Sequence, residues 1–155
     1  MSRGETVKIA IGSDHAGFHL KETLKAWLSK NQYEVIDLGT YSEDRVDYPH
    51  YGAAVGEAVA NGEAHFGVAV CGSGQGICMA VNKVPGIRGG VIRAVGDSEM
   101  IRRHNSANVA CFGERFTDPQ VAVEALRVFL TTEFDGGRHE QRVEQLAELD
   151  RGESV

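Results

Sequence analysis

The chain has 155 residues, a formal charge of −6 and three cysteines, enough length to bury a core in one domain without help from disulfides. Its negative balance argues against the basic face that nucleic-acid binding requires. No apolar run approaches the roughly 20 residues of a membrane span and residues 1–6 carry no apolar leader, so a cytoplasmic location with no membrane partner is expected.

Residues 7–11 form a β-branched apolar run ended by Gly12-Ser13-Asp14, which predicts a first strand with a polar loop at its C-terminal end. Over residues 18–28 the apolar positions Leu20, Leu24, Trp27 and Leu28 recur at helical spacing. A second strand is expected over 34–38, closed by Gly39. Residues 40–49 hold three acids and no periodicity, so they read as a loop, with Pro49 barring an earlier helix start. A helix follows over about 51–61, and its small face of Ala53, Ala54, Gly56 and Ala60 can pack close to a sheet or to a partner subunit, the sheet being the expected neighbour.

The next stretch, Phe66-Gly67-Val68-Ala69-Val70-Cys71-Gly72-Ser73-Gly74-Gln75-Gly76, is a buried strand running into a glycine-rich turn, then a helix over 77–83. Such a succession leaves several N–H groups converging on one point, suited to an anion or a developing oxyanion. After Pro85-Gly86, residues 87–92 predict a fourth strand and 98–105 a short helix. Residues 108–112 predict the fifth strand, Pro119 opens a helix over 121–130, and Gly136-Gly137 precedes a polar helix over 138–149. Residues 151–155 are expected to fray.

Five strands alternating with helices predict a three-layer α/β/α, Rossmann-like domain, with a five-stranded parallel sheet and a C-terminal helix. Ligands gather outside the strand C-termini in such sheets. That places Asp14 and His15, the acidic loop, Cys71 to Gly76 and Gly113 to Arg115 at the expected site.

Several familiar chemistries fail at this loop. Gly72-Ser73-Gly74-Gln75-Gly76 is not G-x-G-x-x-G, because the third glycine comes one residue early. A phosphatase loop needs an arginine where Ile77 stands, and no G-K-[ST] is present. The odd cysteine count without C-x-x-C suggests neither a disulfide framework nor a zinc site. Cys78 and Cys111 fit inert buried hydrophobes. Cys71 ends its strand just before a helix N-terminus, which favours thiolate, so a chemical role competes evenly with a packing one. Plainer accounts exist for its neighbours too: Asp14 as a helix cap, His15 bonded to its own loop, His104 at a helix C-terminus.

With Gly12-Ser13-Asp14-His15-Ala16-Gly17, Asp47-Tyr48-Pro49-His50, Cys71-Gly72-Ser73-Gly74-Gln75-Gly76, Asn82-Lys83, Gly86-Ile87-Arg88, His104-Asn105 and Gly137-Arg138-His139 in this order, the chain resembles the ribose-5-phosphate isomerase B family over about residues 7–149. Allose-6-phosphate and galactose-6-phosphate isomerases belong to the same family. The resemblance implies a single isomerase domain over 1–155 that needs no metal or cofactor and works on an open-chain sugar phosphate through a cis-enediolate. It also implies a homodimer with sites shared between chains, and leaves open whether dimers pair into tetramers.

By the same resemblance Cys71 is the base, beside Ser73, and the loop N–H groups of Gly72, Gly74 and Gly76 hold the enediolate. His104 opens the furanose ring, Asp14 and Tyr48 hold sugar hydroxyls, and Asn105 binds a polar edge of the substrate. His15, Arg115, Arg138 and Arg142 hold the phosphate, some from the partner subunit. One branch of the family has glycine at this cysteine and a glutamate base six residues later; Ile77 stands there, which puts the chain in the cysteine branch. The segment Gly89 to Gly96, with Arg93, matches no motif of the resemblance. If it bordered the sugar, preference could move from ribose 5-phosphate to allose 6-phosphate or a four-carbon sugar phosphate. A phosphosugar-binding module without turnover is the remaining alternative.

Overall fold

The computed structural model describes residues 4–155. Its strands are β1 (Lys8–Ser13), β2 (Glu34–Asp37), β3 (Phe66–Cys71), β4 (Gly89–Val91) and β5 (Val109–Gly113). The helices are α1 (Phe18–Lys30), α2 (Tyr48–Ala60), α3 (Gln75–Asn82), α4 (Val95–Asn105), α5 (Pro119–Thr131) and α6 (His139–Asp150). All strand pairs are parallel, in the order β2-β1-β3-β5-β4. The expected five-stranded parallel sheet between helices is present, and the chain reverses its direction of winding between β1 and β3, where such sheets open a crevice.

Strand alternation builds two cores. Val68, Val70, Ala110 and Phe112 point to one face, under α1 and α5, where Leu20, Leu24, Leu28, Leu126 and Phe129 are buried. Ala69, Cys71, Val109 and Cys111 point to the other, against Val55, Ile77 and Val81 of α2 and α3. Cys71 therefore enters the site from the α2–α3 side.

Two helix starts and one packing face differ from expectation for physical reasons. Helix α2 starts at Tyr48, ahead of Pro49, because proline in the first turn removes an N–H that has no helical partner anyway. Its buried residues are Gly52, Val55, Gly56 and Ala58, so the face of Ala53, Ala54 and Ala60 is not the packing face. A Cβ on Gly52 would lie 2.7 Å from the Ala80 Cβ, and one on Gly56 2.9 Å from Val84, so it is the glycines that bring α2 close to α3. Helix α4 begins at Val95, since the Asp97 carboxylate accepts from the Arg93 and Ala94 amides and caps a start that Gly96 hides. Beyond α6, the Arg151, Gly152 and Glu153 amides donate to its carbonyls, the last to Glu148 O at 3.0 Å.

One buried ion cluster locks α1 to β2. Lys21 has no solvent exposure, and its Nζ donates to both Asp37 oxygens at 2.8 and 3.0 Å and to Thr40 O at 2.7 Å. Lys25 adds a bond to Asp37 at 2.8 Å. Among the described residues, no helix is long and apolar enough to cross a membrane.

Candidate active site

At the C-terminal ends of β1, β3 and β5 a pocket of about 250 Å³ is lined by Asp14, His15, Ala16, Tyr48, Cys71, Gly72, Ser73, Gly76 and Arg115. These come from four separate segments of the sequence. A larger pocket of about 390 Å³ lies at the opposite end of the sheet, beside Asn105, Arg88, Leu146 and Asp150. It holds neither a nucleophile nor a residue of the first group, so chemistry favours the smaller one.

The glycine turn is shaped by contacts that a side chain would block. Gly74 has φ 79°, and a Cβ there would meet the Phe112–Gly113 backbone at 3.0 Å. Its N–H donates to Cys71 Sγ at 3.1 Å, which fixes the sulfur against the turn. The Gln75 amide goes to Ser73 Oγ at 3.2 Å. A Cβ on Gly76 would lie 2.6 Å from Tyr48 Cζ, so the bare glycine lets the tyrosine ring lie over the start of α3.

The loop after β5 is tied to this turn. The Glu114 and Arg115 amides donate to Cys71 O and Gly72 O, each at 3.0 Å, and the Arg115 guanidinium lies against Gly72. Glu114 also accepts from the Leu20 amide at 2.7 Å. Asp14 is buried and caps a single 3-10 turn (His15–Gly17), one oxygen accepting from the Gly17 amide at 3.0 Å. His15 Nδ1 sits 3.2 Å from both the amide and the carbonyl of Val46, which fixes the ring against the acidic loop.

Cys78 and Cys111 belong to the core. Burial pushes the Cys111 thiol well above its ordinary value, which keeps it protonated. The Gly89 to Gly96 segment does not line the pocket of this chain; Arg93 stacks instead on the Phe116 ring at 4.7 Å.

His104, Asn105, Arg138 and Arg142 form a second group. Helix α4 returns from the C-terminal to the N-terminal edge of the sheet, and the Asn108 amide bonds to Arg88 O just ahead of β4. The length of β5, at roughly 3.3 Å per residue, then separates this group from Cys71 by about 13 Å. One chain therefore does not bring the two groups together. His104 stacks on His139, centroids 4.4 Å apart and planes 13° from parallel. Burial, then the charges of His104, Arg138 and Arg142, hold His139 below its ordinary 6.5, with Asp135 pulling the other way. Sequence reasoning gave His139 and Asp135 no role, because they lie 35 and 31 positions from His104 and no local spacing joins them.

A family model described as Ribose/Galactose Isomerase matches residues 9–146. Ribose-5-phosphate isomerase B of Escherichia coli is 43% identical over 144 residues, 93% of this chain and 97% of that protein. Among solved structures, ribose-5-phosphate isomerase B of Clostridium thermocellum superposes with a TM-score of 0.93 at 44% identity, over 94% of this chain and 99% of that one. The enzyme of Mycoplasma genitalium, solved with bound ribulose-5-phosphate, gives 0.89 at 33% identity, over 94% and 97%.

Proposed function

The chain belongs to the ribose/galactose isomerase family, and on that premise we propose that it interconverts ribose 5-phosphate and ribulose 5-phosphate with Cys71 as the base. The observation that carries the reading is the Cys71 sulfur, held by the Gly74 N–H inside a pocket that also contains Asp14, His15, Tyr48, Ser73 and Arg115. The family contains isomerases of other sugar phosphates, so the substrate is a separate question from the chemistry.

In this scheme the Cys71 thiolate takes the C2 proton of the open-chain aldose, and the electron pair moves onto the C1 carbonyl oxygen to give the cis-enediolate. The O2 hydroxyl proton then passes to O1, and as the C2 oxygen becomes the carbonyl Cys71 returns its proton to C1, which completes the ketose. Since the Gly74 and Gln75 amides are already committed, the enediolate oxygens fall to the amides of Gly72, Ser73 and Gly76, at the start of α3. Gly74 then acts on the base rather than on the substrate.

Asp14 spends one oxygen on its own turn and has the other for a sugar hydroxyl, with Tyr48 alongside. Arg115 and His15, which line the same pocket, are the phosphate ligands of this chain in the proposal. His104 as ring opener, Asn105 as a hydroxyl partner, and Arg138 and Arg142 as further phosphate ligands act from the second group. Because that group sits at the far end of the sheet, it reaches a Cys71 pocket only across a dimer, one chain supplying the base and its partner supplying His104.

The test is direct. Incubation with ribose 5-phosphate is expected to yield ribulose 5-phosphate, and Cys71→Ala to lower kcat by at least about a hundredfold with little change in KM. Absence of ketose from the wild type, or full turnover in Cys71→Ala, overturns the reading. Comparing kcat/KM for ribose 5-phosphate, allose 6-phosphate and a four-carbon aldose phosphate identifies the preferred substrate.

A further inference from the structure

His104, Asp135 and His139 each offer one donor atom, and the three donors lie within 4.8 Å of one another. They converge from three places: the C-terminal end of α4, the irregular stretch after α5, and the first residue of α6. The arrangement is braced, since the Asp135 amide donates to Arg103 O at 3.0 Å and the Arg103 Nε donates to both Asp135 oxygens at 3.1 and 3.2 Å. We propose that these three residues form a binding site for zinc, and that zinc bound there inhibits the enzyme by occupying His104. The inhibitory half rests on the function proposed above; the binding half does not.

The donor set chooses the ion. Two imidazoles and a carboxylate suit zinc and its neighbours, whereas magnesium and calcium select oxygen donors. Zinc bonds of about 2.0–2.2 Å hold tetrahedral ligands some 3.5 Å apart, so the site closes by about an ångström on loading. Asp135 is exposed on an irregular segment, and one of its oxygens can turn to the ion while the other keeps its bond to Arg103. The histidine rings, now nearly parallel, must turn about Cβ–Cγ before their lone pairs meet at one ion.

Surrounding charge acts in both directions. Arg103 orients the carboxylate as an outer partner commonly does at zinc sites. Arg138 and Arg142, which act on His139, oppose any cation, and this selects against ions held by charge alone in favour of one that bonds strongly to nitrogen. Three protein ligands leave a fourth position for water or a substrate oxygen. The isomerisation proposed above asks nothing of this ion: a filled site removes the His104 lone pair from ring opening.

Calorimetric titration of the metal-stripped full chain with zinc chloride tests the proposal. One zinc per chain is expected in wild type and in Cys71→Ala, with binding about tenfold or more weaker in Asp135→Asn and in His139→Ala. Turnover of ribose 5-phosphate by the wild type should fall as zinc is added, while Asp135→Asn turns over at the wild-type rate and needs correspondingly more zinc to be inhibited. Absence of zinc binding, binding lost with Cys71→Ala, or binding unchanged in both ligand variants overturns the site. Inhibition of equal potency in wild type and Asp135→Asn overturns its inhibitory role. A chain that binds zinc at these residues but isomerises no sugar phosphate leaves the site standing and removes the function reading.

Discussion

Lys21 shows why a single residue in this chain is hard to read from its neighbours in sequence. It occupies a helix position that looks solvent-facing, yet it is wholly buried and answered by Asp37 from the next strand. Removing the acid leaves an ammonium in the interior without its counter-charge, so Asp37→Ala is expected to cost about 3–5 kcal/mol, read from the denaturant midpoint at pH 7. The same pair responds to acid. Burial pushes Asp37 up, but the bonds from Lys21, Lys25 and the Gly39 amide outweigh it and hold the carboxyl below its ordinary 3.8. A carboxyl depressed in the folded state gives its full stabilisation above about pH 4, and loses it as the pH falls through 3.8 towards the native value. The gap in stability between wild type and Asp37→Ala should therefore narrow from about pH 4 downward, whereas a gap independent of pH would contradict the assignment.

Between elements, the decisive contact is α2 against the start of α3. Tyr48 opens one and Gly76 lies in the first turn of the other, with the ring where a Cβ would be. Gly76→Ala must push the ring away or move the turn that carries Cys71. A displacement near 1 Å at a reacting centre costs on the order of a hundredfold in rate. Gly76→Ala is thus expected to lower kcat/KM by about that factor while the thermal transition shifts by only a few degrees, since the contact is at the surface end of the helices. Equal kcat/KM in the variant would mean that Tyr48 takes no part. The pattern Cys71 to Gly76 was legible as strand, turn and helix because glycine placement is a local signal. That a tyrosine 28 positions earlier explains one of those glycines was not, because the contact crosses two elements.

At the scale of the molecule, the sheet itself divides the candidate site. The Cys71 pocket lies at one end and His104, Asn105, Arg138 and Arg142 at the other, so two chains packed by a two-fold axis would form two composite sites. Such a dimer predicts complementation. Cys71→Ala and His104→Ala, each inactive alone, are expected on unfolding and refolding together to recover about a quarter of wild-type activity, since half the dimers are mixed and each carries one intact site. No recovery, with mixed dimers demonstrated by tagged chains, would place both residues in a single-chain site and contradict the division.

What the sequence by itself determined is the alternation of strands and helices and the placing of Asp14, Cys71 and Arg115 at strand ends. Apolar periodicity, glycine and proline act over a few residues and are written in order along the chain. The tertiary structure decided which face of α2 is buried, which lysine is interior, which amide of the glycine loop serves the sulfur, and that His104, Asp135 and His139 stand together away from Cys71. Each of those depends on residues tens of positions apart meeting through the crossovers of the sheet, and burial and charge are properties of that meeting rather than of any segment alone.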